Sequence, residues 1–81
     1  MRRLDSGSPD APGLTLVAGG ANLAVRSAHA DAVELCLFDA DGGTERERIR
    51  LPERTGDVFH GFVGGVTAGT RYEAQIEARK R

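Results

Sequence analysis

The chain has 81 residues, one cysteine and a net charge of −1 from 11 basic and 12 acidic side chains. A chain of this size makes one small domain with a thin core, burying about 60% of its unfolded surface, which leaves little room for a self-contained active-site cleft. The balanced charge gives no electrostatic footprint for nucleic acid, no apolar run approaches the ~18–20 residues of a membrane helix, and a lone thiol closes no internal disulfide.

Residues 1–12 hold Ser6, Gly7, Ser8, Pro9, Ala11 and Pro12. This composition buries too little apolar area to offset its ordering entropy, so a flexible leader is expected. Met1-Arg2-Arg3-Leu4-Asp5 is not followed by the apolar core of a signal peptide, and the cytoplasm is the expected location. Leu14 to Val17 predicts an edge strand, and Gly19-Gly20 a turn. Ala21, Leu23 and Val25 alternate with Asn22, Ala24 and Arg26, the period of a half-buried strand. Val33, Leu35 and Leu37 alternate in the same way with Glu34, Cys36 and Phe38.

Asp39 to Gly43 predicts a hairpin loop around Asp41-Gly42. Thr44 to Leu51 is dense in Glu and Arg, which suits a helix by propensity. Its shortness, with Gly42-Gly43 before it and Pro52 after it, favours an edge strand whose charges discourage further pairing. Glu53 to Asp57 is expected as a loop. Val58 to Val63 is the next strand, with Val58, His60 and Phe62 expected inward and Phe59 and Val63 on the second face. In the last strand Tyr72, Ala74, Ile76 and Ala78 alternate with Arg71, Glu73, Gln75 and Glu77, the pattern of a sheet with one wet face. The expected core is therefore Leu23, Val25, Val33, Leu35, Leu37, Phe62, Tyr72, Ala74 and Ile76. Short strands at regular spacing predict an all-β, immunoglobulin-like antiparallel sandwich of six to seven strands over residues 13–78, with a basic tail at 79–81.

The stretches Val33 to Asp39 (VELCLFD), Leu51 to Gly61 (LPERTGDVFHG) and Ala21 to Ala30 (ANLAVRSAHA) carry a further signal. They resemble the N-terminal β-sandwich module of bacterial glycogen debranching enzymes and isoamylases, carbohydrate-binding module family 48. In that family the module precedes the catalytic barrel of a glycoside hydrolase of family 13. The resemblance covers about residues 13 to 76, and at the C-terminal end the strand period survives while the family's usual linker motif does not. It implies a non-catalytic accessory module in α-glucan metabolism, giving weak glucan contact or docking to the barrel. The alternative is a free-standing immunoglobulin-like protein-interaction domain with no carbohydrate role.

The residues bear on chemistry in the same direction. Asp39 with Asp41, and Glu45 with Glu47, are turn and surface acids with nothing to split their pKa values as glycosidase chemistry requires. His29, His60 and Cys36 fit no zinc spacing, and no cofactor or metal is expected. His60 falls where the family has His, and a structural hydrogen bond to backbone or carboxylate is expected for it. Sugar-binding modules stack rings on exposed aromatics, yet this chain has no Trp. Phe38, Phe59 and Tyr72 are the candidate carbohydrate-binding or interface residues, with inter-sheet packing as their competing role. Phe59 stands where the family usually shows Trp, and Phe62 where it shows Tyr. The outward pair Phe59 and Val63 is the expected apolar patch, a place for a barrel or for a homodimer.

Overall fold

The computed structural model describes residues 2–39 and 43–78. Among the described residues eight strands run in order: β1 (Leu4–Asp5), β2 (Gly13–Val17), β3 (Gly20–Arg26), β4 (Ala30–Phe38), β5 (Glu45–Arg50), β6 (Glu53–Thr55), β7 (Val58–Gly64) and β8 (Arg71–Ala78). They form two antiparallel sheets. One has the order β1-β7-β3-β2 with β6 also on β7; the other has the order β5-β4-β8. This is the all-β sandwich that the sequence periods predict. The turn expected at Asp41-Gly42 and the basic tail expected at 79–81 lie outside the described residues.

The core sits between the sheets. Val33, Leu35 and Leu37 of β4 meet Ala21 and Leu23 of β3 and Phe59 and Val63 of β7, with Leu51 and Val66 closing the ends. Leu23 pairs with Gly61, Val25 with Phe59 and Ala21 with Val63, which puts these six positions on one face. The inward face of β7 is thus Phe59-Gly61-Val63. The expected facing, with Val58, His60 and Phe62 inward and a Phe59–Val63 patch outside, is wrong. Both faces of β7 are apolar enough to be buried, and both are covered, one by the opposing sheet and one by the leader.

That leader accounts for a second difference. Leu4–Asp5 pairs with Val63 and Phe62 as β1. Residues 6–8 then cross the outer face of β7 and β3. Ser8 N–H donates to Asn22 Oδ1 at 2.7 Å, and Asn22 Nδ2 donates back to Ser8 O at 2.9 Å. Gly7 holds φ +64 at the closest point of this crossing, where a Cβ would lie 2.4 Å from Asn22 Oδ1 and 2.7 Å from the carbonyl carbon of Gly61. These contacts span long sequence separations, and no local pattern reports them. Glu53–Thr55, expected as loop, likewise pairs with Thr55↔Val58, Arg54↔Phe59 and Glu53↔His60, turning through Gly56 at φ +60.

The edges of the sandwich differ. On one side Arg2 and Leu4 stand against Glu47 and Ile49 of β5. The other side is bounded by β2 and β8, and there the inward faces outrun their cover. Tyr72, Ala74 and Ile76 pair with Leu37, Leu35 and Val33 and so share their inward face. Yet Tyr72 is 46% and Ile76 54% exposed, against 0% for Val33 and Leu35. Leu16 of β2 is also exposed. Tyr72, Ala74 and Ile76 therefore do not belong to the core; Val25 is half-buried at its margin, and Phe62, also half-buried, lies on the outer face of β7.

Candidate functional site

Three surfaces can carry chemistry or contact. The first is the outer face of the three-stranded sheet. Cys36 points there, fully buried, because the Arg48 side chain from the neighbouring strand reaches across it. Arg48 Nη1 donates to Glu34 Oε1 and to Gln75 Oε1, both at 3.2 Å, and Nη2 donates to Glu45 Oε1 at 2.9 Å. One guanidinium so ties β5, β4 and β8 together. Burial pushes the Cys36 thiol above its ordinary value, which disfavours thiolate and removes it as a nucleophile at neutral pH. The hydrogen bond from Arg48 holds Glu45 below the ordinary glutamate value and raises Arg48 further.

The second surface is a polar groove of about 430 Å³ at one end of the sandwich, lined by Arg2, Phe38, Arg46, Glu47 and Thr70 among others. Its charged groups are already engaged: Arg2 with Glu47 at 3.0 Å, Arg46 with Asp39 at 3.2 Å. Arg2 lowers the Glu47 carboxyl through its hydrogen bond. Glu45 and Glu47 both stay ionised, so neither can hold a proton for glycosidic cleavage at neutral pH. Among the described residues no cluster of His, Cys, Asp and Glu is arranged to hold a metal.

The third surface is the open side formed by Tyr72, Ala74 and Ile76 with Leu16. The three candidate rings do not converge on it. Phe59 is 5% exposed and packs in the core, with the Arg54 guanidinium over its ring, 4.9 Å from the centroid. Phe38 pairs with Arg71 and Tyr72 with Leu37, one residue apart, so strand alternation turns these two rings to opposite faces. Tyr72 alone of the three is exposed. Sequence reasoning missed Arg2 and Thr70 in the groove and Leu16 on the open side; nothing in their local pattern distinguishes them. His60 is buried on the outer face of β7 with both ring nitrogens used. Nδ1–H donates to Ser6 O at 2.6 Å, and Nε2 accepts from the Thr55 hydroxyl at 2.7 Å. Its expected structural role is what the geometry gives it.

The profile of carbohydrate-binding module 48 (isoamylase N-terminal domain) matches residues 11–80, nearly the whole sandwich. The chain belongs to this family. This carbohydrate-binding module 48 domain is 44% identical over 76 residues to a glycogen debranching enzyme of Cronobacter sakazakii and 46% identical to one of Yersinia enterocolitica. A glycogen debranching enzyme of Klebsiella pneumoniae is 42% identical to it. Each match covers 94% of this chain but 11% of the enzyme. The chain thus spans about one ninth of the curated relatives it matches. It corresponds to their accessory module; the catalytic barrel has no counterpart in these 81 residues, whose described part holds strands, turns and loops and no helix.

Proposed function

We propose that this module serves α-glucan metabolism by docking against a family 13 glycoside hydrolase barrel, with weak glucan contact at its exposed ring. The observation that carries this reading is the uncovered inward face of β8, where Tyr72, Ala74 and Ile76 present apolar side chains to solvent. Such a row is costly to leave in water on a small domain, and a neighbouring domain laid over it would complete the sandwich. Glucan contact is weak in this reading because one tyrosine on an open sheet edge encloses little of a sugar chain, whereas ligand pockets enclose about 70–90% of theirs. In this reading the module works in the cytoplasm. No helix of the described residues is long and apolar enough to cross a membrane.

The test is a titration of the chain with maltoheptaose and, separately, with a family 13 barrel lacking its own module. Weak saccharide shifts centred on Tyr72, and barrel binding lost in Ile76→Asp, are expected. A submicromolar saccharide dissociation constant, or barrel binding indifferent to Ile76→Asp, would overturn the proposal.

A further inference from the structure

Beyond the apolar face of β8 lies its edge. Among the described strands β8 hydrogen-bonds to β4 only, so alternate N–H and C=O groups along it point outward with no strand beside them. The other edges are managed. β5 is crowded with Glu45, Arg46, Glu47, Arg48 and Arg50, several held in ion pairs. β2 is short and follows Pro12. β8 spans eight residues, Arg71-Tyr72-Glu73-Ala74-Gln75-Ile76-Glu77-Ala78, with neither proline nor glycine.

We propose that the edge of β8 is a self-association surface whose occupant is β8 of a second copy of this chain, antiparallel and centred on Ala74. The charge pattern selects that register. With a two-fold axis at Ala74, Arg71 lies opposite Glu77 of the second copy, and by symmetry Glu77 lies opposite Arg71. Glu73 faces the neutral Gln75, and on the inward face Tyr72 faces Ile76. No like charges meet. Moving the axis to Glu73 sets that carboxylate against itself; moving it to Gln75 sets Glu73 against Glu77 twice. Directly opposed side chains across an antiparallel pair interact, attractively for opposite charges and unfavourably for like ones. Among registers that pair at least five residues of β8, only this one sets opposite charges face to face with no like-charge contact, so the strand is self-complementary there, as a two-fold interface requires. Its product joins two three-stranded sheets into one continuous sheet. A barrel would take the inward side chains of β8; the second copy takes its main-chain edge.

Sedimentation equilibrium of the 81-residue chain, up to millimolar concentration, tests this. A reversible monomer–dimer equilibrium is expected. Arg71→Glu and Glu77→Arg each place two like-charge pairs in the register and should weaken the dimer by about tenfold, while the double reversal restores it. Arg71 and Glu77 are both exposed, and circular dichroism checks that the fold of each variant is intact. Ala74→Cys should also oxidise to a covalent dimer, its Cβ atoms meeting at the axis, and Gln75→Cys should not; the native Cys36 is buried. A chain that stays monomeric throughout, a dimer indifferent to the single reversals, or a double reversal that fails to restore association overturns the proposal. So does a strict monomer that binds a hydrolase barrel through β8.

Discussion

Arg2 and Glu47 join the two sheets. The Arg2 guanidinium lies 3.0 Å from Glu47 Oε1 on β5 of one sheet, and its Nη1 donates to Gly64 O at the end of β7 in the other. Two residues before β1, it bolts the closed side of the sandwich, opposite the side that β8 leaves open.

This pair sets an acid sensitivity. The carboxyl of Glu47 is held below the ordinary glutamate value of 4.5 by the Arg2 hydrogen bond. A carboxylate with a depressed folded pKa stabilises the fold fully above its unfolded pKa, and that contribution disappears as pH falls from about 4.5 through the lower folded value. Glu47→Gln should therefore lose up to about 1 kcal/mol at neutral pH, since the pair is partly exposed and screened. The same variant should lose less stability than the parent on acidification below pH 4.5. Urea unfolding across a pH series measures both; parallel curves for parent and variant would contradict the linkage.

Leu35 is fully buried at the centre of β4. Leu35→Ala should cost about 2–5 kcal/mol, a large share of the stability of a domain this small. An unchanged denaturant midpoint would place the core elsewhere.

Phe59 and Tyr72 make a paired test of facing. Phe59→Ala removes a ring from the core and should cost about 3–5 kcal/mol. Tyr72→Ala, on the open side, should stay within roughly 1 kcal/mol of the parent. Thermal unfolding of the two variants separates them, and equal losses would refute the facing assigned to β7 and β8.

Gly7→Ala should release the leader without unfolding the sandwich. The left-handed backbone costs an L-residue about 1–2 kcal/mol, and the added methyl would press on Asn22 and on the β7 backbone. Faster amide exchange at Ser8, with the exchange of Leu35 unaltered, is the expected signature. Uniform protection at both sites would mean that the leader is held by other contacts.

The class of fold, the positions of β3, β4 and β8, and the family were legible in the residues alone. Period-2 alternation over Val33, Leu35 and Leu37 reports which way side chains turn, and the structure agrees. Two things were beyond the sequence. Alternation gives a direction but does not say whether anything stands opposite, so Tyr72, Ala74 and Ile76 point inward as read and still remain in water, because β8 ends its sheet beyond the cover of the other. In β7 both faces are apolar, so local pattern could not choose between Phe59 and Phe62. Tertiary structure chose by laying the leader over His60 and Asn22, through hydrogen bonds from the His60 ring to the Ser6 carbonyl and from the Ser8 N–H to Asn22, which link residues 54 and 14 positions apart. No local pattern reports those contacts, since the partners of Ser6 and Ser8 lie in distant strands.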